Sequence, residues 1–416
     1  MLFRFTYNLI LNLSYPIVLL LGVFSPKLSL FTSGRKEVFA QLKSTQANKG
    51  EWVWFHVASL GEFEQARPLM EEYKKSFPNH KLLLTFFSPS GYEVQKDYEL
   101  ADCICYLPWD TKKNVNRFLN FCNIRCAFFI KYEFWPNYFF SLSKRNITTY
   151  SVSSIFRPQQ LFFKSYGKAY RKLLFGVKHF FVQNDESKAL LNSIGIDQVT
   201  VSGDTRMDRV FDLTLQKTSL DIIEDFLQGQ PCFVAGSTWP EDYHLMNHFL
   251  KKPTGIKIII APHEVSHQSI EQLEKSVGLA YTKWSSFDKN KDADKNILIV
   301  DHIGILTKIY RYAKIAYIGG GMKKNGLHNT LEPAAFGIPV IIGKYFSKYE
   351  EAVTLVKKGG IFSVQSGSEF RKISDTLLND EKLLRKAGLI NSQYIASGKG
   401  ASRRIINTIT NKLLLN

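Results

Sequence analysis

The alternation of apolar and polar positions divides the chain into short buried strands and amphipathic helices. In the first half, apolar runs end at polar turns and are followed by helical periodicity. The predicted strands are Trp52–Val57, Leu82–Phe87, Cys103–Leu107, Cys126–Ile130, Thr148–Val152, Val177–Val182 and Gln198–Ser202. Helical segments lie between them. Strands separated by helices predict a parallel sheet that is covered by helices on both faces.

The alternation stops between residues 204 and 229, where pattern and charge predict a linker with one helix. It then starts again, with predicted strands Cys232–Ala235, Ile256–Ala261, Ile297–Val300, Ala313–Ile318 and Pro339–Ile342. Residues 367–416 are predicted to be mostly helical. We therefore expect an α/β chain with two doubly wound, Rossmann-like domains, 26–210 and 211–400, that face a central cleft. Residues 401–416 are expected to form a C-terminal helix that can return to the first domain.

The N-terminal segment is apolar enough to interact with a membrane. Arg4 is the only charged side chain before Lys27, and Leu9–Phe24 is almost wholly apolar. No small-residue cleavage signature follows Val23, which disfavours a signal peptide. We predict that residues 1–25 anchor the chain, either by spanning the membrane or by lying in its interface, and an ordinary buried helix is the alternative. The cations that follow would keep the next domain cytoplasmic.

Composition narrows the choice of partners. The chain carries 54 Lys and Arg against 37 Asp and Glu, a formal net charge of +17. Such a surplus favours an anionic partner, which can be nucleic acid, an acidic membrane surface or a phosphorylated substrate. The five cysteines have no metal-like spacing, which favours reduced thiols in a cytosolic protein.

Residues 134–184 contain no Asp or Glu. Their cations are Lys144, Arg145, Arg157, Lys164, Lys168, Arg171, Lys172 and Lys178, with aromatic residues between them. This composition favours an anionic lipid surface, into which rings such as Phe162 and Phe163 are expected to insert. Single-stranded nucleic acid is the competing interpretation.

Polar residues follow the predicted strands of the first half at the points where the strands end. Ser59-Leu60-Gly61-Glu62 follows the first strand, so Glu62 is expected in the first turn of a helix, beside backbone N–H donors. A carboxylate there can act as a general base for a hydroxyl group, although a helix-start glutamate is also common without any such role. Glu133 ends another strand and is expected to face Glu62.

Four strand ends of the second half also carry polar or glycine residues. They are Gly236–Trp239, Pro262–Glu264, Asp301–Gly304 and the stretch Gly319–Glu332. Because ligands of doubly wound sheets bind at the carboxyl ends of the strands, these residues predict a nucleotide-sugar site.

Taken in order, these motifs resemble those of a known family. The motifs are Ser59–Glu62, Glu133–Asn137, Gly236–Thr238, Asp301 with Gly304, and Gly319–Glu332 with its His328-Asn329-Thr330-Leu331-Glu332-Pro333 segment. They resemble the 3-deoxy-D-manno-octulosonic acid (Kdo) transferases of lipopolysaccharide core synthesis in Gram-negative bacteria. The resemblance covers nearly the whole chain.

The resemblance implies a GT-B fold, with acceptor binding in the first half and CMP-Kdo in the second. It implies transfer of Kdo to the lipid A precursor (lipid IVA) with inversion, on the cytoplasmic face of the inner membrane. The partners expected are CMP-Kdo, that precursor and the anionic membrane surface, with no nucleic acid. Neither a cofactor nor a metal is expected, because the motifs at the strand ends supply no carboxylate cluster like a DxD motif.

The resemblance also implies roles for individual residues. Glu62 matches the general base, Glu133 a second motif glutamate, and Arg206 the position of a basic catalytic residue. The expected donor-binding residues are Ser237, Thr238, Pro262, His263, Ile303, Gly304, Ile305, Gly320, Gly321, Asn329, Thr330, Leu331 and Glu332.

The sequence departs from the family pattern at two donor loops. Pro262-His263-Glu264 stands where the family commonly has Pro-Arg-His, so an expected phosphate-binding arginine is absent, and Gly304-Ile305 stands for Gly-Glu. The alternatives are another GT-B glycosyltransferase or epimerase that uses a nucleotide-diphosphate sugar, and a non-catalytic protein that binds membrane or RNA. The second alternative leaves the ordered motifs at the strand ends unexplained.

Overall fold

The chain divides into two compact units, which are described separately. A computed structural model describes residues 2–47, 49–216, 218–251, 255–278, 281–324 and 326–413. The first unit contains residues 1–208 and 400–416, and the second contains residues 209–399. Met1 and Leu414–Asn416, which belong to the predicted anchor and C-terminal helix, lie outside the described residues.

The first unit is built on a parallel seven-stranded sheet in the order β3-β2-β1-β4-β5-β6-β7. Its strands are β1 Trp52–Val57, β2 Lys81–Phe86, β3 Cys103–Tyr106, β4 Ile124–Ile130, β5 Thr148–Ser154, β6 His179–Val182 and β7 Val199–Val201. Its helices are α1 Leu2–Leu21, α2 Pro26–Ser44, α3 Leu60–Ser76, α4 Pro89–Gln95, α5 Lys112–Phe121, α6 Pro136–Lys144, α7 Lys168–Arg171 and α8 Asp185–Asn192. All six residues of β1 are buried because helices cover both faces of the sheet.

The second unit repeats this architecture with the sheet order β10-β11-β9-β8-β12-β13-β14. Its strands are β8 Cys232–Thr238, β9 Lys257–Pro262, β10 Tyr281–Lys283, β11 Ile297–Ile299, β12 Ala313–Ile318, β13 Val340–Gly343 and β14 Ile361–Val364. The remaining helices are α9 Arg206–Leu215, α10 Asp221–Leu227, α11 Pro240–Lys251, α12 His267–Val277, α13 Lys289–Asp292, α14 Leu306–Ile309, α15 Leu331–Ala335, α16 Glu350–Lys358, α17 Gly367–Asn379, α18 Glu381–Gly398 and α19 Ala401–Leu413. Every strand pair in both sheets is parallel.

The predicted α/β class with two doubly wound sheets is confirmed, but the strands β10 and β14 were not predicted and the prediction for the linker is wrong. The segment 204–229 contains two helices, α9 and α10, instead of one. The helix α19 belongs to the first unit, where Ile405, Ile406 and Ile409 join the core that α3 forms against the sheet. Burial of these three side chains therefore stabilises the packing of α19 in the core of the first unit.

The prediction that Phe162 and Phe163 insert into a membrane is wrong. Phe162 is buried, and both rings pack against Phe156 in the core of the first unit. In this segment the exposed apolar side chains are instead Leu161, Tyr166 and Phe175. The aromatic residues between the cations therefore serve mainly to form the core.

The first helix leaves an apolar face uncovered. Its segment Phe3–Leu21 is long and apolar enough to cross a membrane, and only 6% of that window is buried. The exposed side chains include Phe5, Leu9, Ile10, Leu13, Ile17 and Leu20. An exposed apolar helix face is characteristic of contact with a membrane or with another protein.

Candidate functional site

The carboxyl end of β1 carries a buried carboxylate. Glu62 lies in the first turn of α3, as predicted, and its Oε2 accepts a hydrogen bond of 2.5 Å from the backbone N–H of Ala58. Burial and the negative charge of Glu133 raise the pKa of Glu62 to about 8, although the Ala58 N–H and the cation of Lys131 act in the opposite direction. A carboxyl group with a pKa close to neutrality can exchange a proton under physiological conditions.

Glu133 lies in a compact cluster with His56 and Trp135. Glu133 Oε2 accepts a hydrogen bond of 2.9 Å from the indole N–H of Trp135, and it lies 3.5 Å from Nε2 of His56. His56 is fully buried on β1, and its Nδ1 lies 2.9 Å from the hydroxyl oxygen of Thr85 on β2. The cluster holds the side chain of Glu133 in one orientation. The charge of the Glu133 carboxylate acts on Glu62.

Arg206 is paired within its own unit. Its Nη2 and Nε lie 2.6 and 2.9 Å from Oδ2 of Asp204, and Gln65 donates to the other carboxylate oxygen. Burial opposes ionisation of Asp204, but the guanidinium of Arg206 and the cation of Lys131 hold the pKa of Asp204 below its usual range. The charge of Arg206 is therefore largely balanced by Asp204.

In the second unit, three rings meet where β8, β9 and β12 end. The ring of His263 stacks on Trp239 at 4.7 Å and on His328 at 4.3 Å, and the indole N–H of Trp239 donates to His328 Nε2 at 3.0 Å. Burial and the neighbouring His263 lower the pKa of His328 to about 4, so both imidazole rings are neutral near pH 7. A cavity of about 270 Å³ lies beside them, lined in part by Pro240, Pro262, Trp239 and Lys323.

A buried carboxylate positions the glycine turn after β12. Asp242, in the first turn of α11, accepts hydrogen bonds from the N–H groups of Trp239 (2.8 Å) and Gly320 (3.0 Å) and from the Tyr317 hydroxyl (2.6 Å). A Cβ atom on Gly319 would lie 2.2 Å from the carbonyl oxygen of Ser237. The turn therefore needs glycine because two backbone segments approach closely there.

Polar side chains at the predicted helix start near Asn329 form hydrogen bonds with one another. Asn329 donates to Glu332 Oε1 at 3.1 Å and accepts from the Leu331 N–H, while Thr307 donates to Glu332 Oε2 at 3.0 Å. The side chain of Leu331 is fully buried, and the buried hydroxyl of Thr330 has no hydrogen-bond partner among the described residues. Leu331 therefore serves the core, whereas Asn329 and Glu332 form a polar pair at this edge.

The other predicted donor residues occupy the same edge of the sheet with different exposure. Ser237 has a left-handed backbone (φ +52°) at the end of β8, and Thr238 is buried and donates to the Tyr243 hydroxyl. The N–H of His263, which follows Pro262, donates to the Thr238 carbonyl. Of the remaining predicted residues, Ile303 is 74% exposed and Ile305 lies directly before α14. Gly304 and Gly320 have φ values of +93° and +83°. Gly321 is packed against Gly343. A left-handed serine is strained, and such residues often occur at ligand-binding sites.

Sequence reasoning missed four residues of these clusters: His56, Asp242, Lys131 and Tyr317. His56 is a polar residue within an apolar strand, and buried polar groups need partners, so it had a detectable signal. Asp242 also had a detectable signal, because an acid three residues after the residue that precedes a helix often accepts the backbone N–H of that residue. Lys131 adopts φ +56°, which the sequence does not reveal. Within the described ranges, no group of three or more His, Cys, Asp or Glu side chains is placed to hold a metal ion.

Comparison with known proteins shows similarity to Kdo transferases. A family model described as "3-Deoxy-D-manno-octulosonic-acid transferase (kdotransferase)" matches residues 33–209. A 3-deoxy-D-manno-octulosonic acid transferase of Haemophilus influenzae is 23% identical over 98% of both chains, and one of Aquifex aeolicus is 26% identical over 80% of this chain and 88% of its own. This chain is a glycosyltransferase that is similar to Kdo transferases over most of its length. The similarity supports Kdo transfer in lipopolysaccharide synthesis.

Another relative and the solved structures complete the comparison. A bifunctional glycosyltransferase/methyltransferase of Fusobacterium nucleatum is 29% identical over 90% of this chain, which spans 59% of that relative. UDP-N-acetylglucosamine 2-epimerase structures from Listeria monocytogenes and Neisseria meningitidis superpose with TM-scores of 0.62 and 0.61 at 12% and 16% identity. They cover 88% and 87% of this chain and 97% and 100% of their own chains. These structural matches support the GT-B fold class.

We predict that Asp242→Asn loosens the glycine turn. The neutral amide oxygen accepts the N–H groups of Trp239 and Gly320 more weakly than the carboxylate does, and the amide NH₂ group replaces the oxygen that accepts from the Tyr317 hydroxyl. The backbone amides of residues 319–328 should exchange with deuterium at least about tenfold faster. Asp294→Asn, at an exposed position, is the matched control. Unchanged exchange in Asp242→Asn would contradict the role of Asp242.

Proposed function

We propose that this glycosyltransferase moves Kdo from CMP-Kdo to a hydroxyl group of the lipid A precursor (lipid IVA), with inversion and without a metal. The main observation that supports this proposal is Glu62, a buried carboxyl group with a pKa of about 8 at the end of β1. A group with this pKa can accept a proton from an alcohol near neutral pH and is still basic enough to help the reaction. A CMP-Kdo donor accords with the similarity of the chain to Kdo transferases.

The reaction proposed for Glu62 is a single displacement. The carboxylate takes the proton of the acceptor hydroxyl while the hydroxyl oxygen attacks the anomeric carbon of Kdo. The bond from that carbon to the phosphate oxygen breaks, and the electron pair leaves with CMP. Glu133, fixed by Trp135 and His56, keeps the pKa of Glu62 high by its charge.

The second unit is proposed to hold the donor. Gly319–Gly321, fixed by Asp242, bring backbone close to the carboxyl ends of the strands, where backbone N–H groups can meet a phosphate. The neutral stacked rings of His263 and Trp239 offer a flat surface beside this turn. Arg206 is proposed to assist through its charge, and its pairing with Asp204 makes it a positioning group as well. UDP competing better than CMP for this site would favour the alternative, an enzyme that uses a nucleotide-diphosphate sugar.

We propose that the chain acts on the cytoplasmic face of the inner membrane, with α1 lying in the interface. The exposed apolar face of α1 supports this location. The ring of Phe3 on α1 contacts Tyr170 at 5.6 Å, next to a segment that exposes Arg157, Lys168 and Lys172. Apolar and basic groups side by side suit an anionic lipid surface.

We predict that Glu62→Gln loses turnover by at least about 10²-fold but still binds CMP, because the amide keeps the shape but cannot accept the proton. The measurement is transfer of Kdo, generated as CMP-Kdo, to a lipid A precursor, with the product read by mass spectrometry. Glu64→Gln, two residues further along the same helix, is the control for general effects on α3. A kcat of Glu62→Gln near that of the wild type would exclude Glu62 as the base.

We predict that Leu13→Ser combined with Leu20→Ser lowers partitioning to phosphatidylethanolamine/phosphatidylglycerol vesicles by at least about tenfold, because each change removes apolar surface that would be buried in lipid. Flotation of the full chain measures the bound fraction. Leu389→Ser, at an exposed leucine of α18 in the second unit, is the matched control. Equal flotation of the double variant and the control would reject α1 as the membrane contact.

A further inference from the structure

The face of α1 opposite the exposed apolar side chains carries polar groups and packs against the rest of the first unit. The residues on this face that make contacts are Tyr7, Asn8, Leu11 and Tyr15. The Tyr7 hydroxyl donates to Asp110 Oδ2 at 2.7 Å, and the amide of Asn137 donates to Asn8 Oδ1 at 3.0 Å. A helix that served only as an anchor would not need these specific polar contacts.

Asp110 joins α1 to the start of α6. Its carboxylate is 1% exposed and accepts the backbone N–H groups of Asn137 (3.1 Å) and Tyr138 (3.0 Å) in addition to the Tyr7 hydroxyl. The Asn137 side chain also donates to the backbone carbonyl of Asp110 at 2.5 Å. The two unpaired N–H groups of the first turn of α6 are therefore satisfied by a carboxylate that α1 helps to orient.

The start of α6 directly follows the loop that carries Glu133 and Trp135. Pro136 is the first residue of α6, so a shift of the first turn would move both of these side chains. A second route runs through rings: Tyr15 of α1 packs on Trp109 at 5.8 Å, Trp109 on Phe87 at 6.3 Å, and Phe87 on Trp135 at 4.6 Å. Both routes lead from α1 to the group whose charge acts on Glu62.

The helix α2 contacts Phe87, which is part of the ring route. Arg35 of α2 is buried, and its Nη2 donates to the carbonyl oxygen of Phe87 at 2.7 Å. Its guanidinium lies 3.6 Å from the ring centroid of Phe31, which packs on Trp109. The two N-terminal helices thus enclose the ring route and hold Phe87 against Trp135.

We propose that Tyr7 and Asn8 are positioning residues of the acceptor-side site, so that the docking of α1 sets the orientation of Glu133 and Trp135. This inference rests on the proposed function. The helix α1 then has two roles on opposite faces: its apolar face meets the membrane, and its polar face completes the site. Catalysis depends on the docked helix even where no membrane is present.

The experiment compares Tyr7→Phe and Asn8→Ala with the wild type in the full chain, using CMP-Kdo and a lipid A precursor in detergent micelles. Both variants should lose at least about fivefold in kcat, with the KM for CMP-Kdo within twofold, because the donor unit is untouched. Asn12→Ala is the matched control, since Asn12 is exposed one turn further along the same helix. It should keep the wild-type kcat.

Hydrogen–deuterium exchange separates positioning from general loss of structure. In Tyr7→Phe, the amides of residues 134–142 should exchange faster, while those of α3 keep the wild-type rate. A wild-type kcat in both variants, or faster exchange confined to α1, would overturn the inference. A wild-type chain that transfers no Kdo would instead overturn the proposed function, and the exchange data would still test the link from α1 to α6.

Discussion

Burial of a carboxyl group beside a second carboxylate is the interaction on which the acceptor-side site depends. Water would keep Glu62 ionised, but burial in the first turn of α3 and the charge of Glu133 favour the protonated form. A single backbone donor, the Ala58 N–H, and the cation of Lys131 oppose this effect. The balance leaves Glu62 able to take up or release a proton near neutral pH. The surrounding residues serve mainly to keep Glu133 in position.

Both units contain a buried acid in the first turn of a helix, but the two acids have different roles. In each, the first strand of the unit leads into a helix whose first turn carries a buried acid, Glu62 after β1 and Asp242 after β8. Both acids accept backbone N–H groups of the turn before the helix. Asp242 has two further donors, Tyr317 and Gly320, and therefore serves to fix a loop, whereas Glu62 has a carboxylate neighbour and is left able to take up a proton.

The sequence was sufficient for the strands other than β10 and β14, and for the order of the motifs, because apolar runs, glycine turns and polar strand ends are local signals. It placed Glu62 in a first helical turn and Glu133 at a strand end, as found. It could not assign Phe162 to the core, because a ring between cations has the same local pattern whether it faces lipid or protein. The pairing of Arg206 with Asp204 and the docking of Tyr7 on Asp110 depend on tertiary contacts, of which the latter joins residues 103 positions apart.

The measurement that tests this account most directly is the titration of the Glu62 carboxyl group in the folded chain. It can be followed as the ¹³C NMR signal of labelled glutamate that is absent in Glu62→Gln. The raised pKa predicts a midpoint near pH 8, so that the ionised fraction of Glu62 increases as the pH rises through this value. The raised pKa also means that the contribution of Glu62 to stability falls between its ordinary pKa of 4.5 and about 8. Glu133→Gln should move the midpoint down, and a wild-type midpoint near 4.5 would contradict the account.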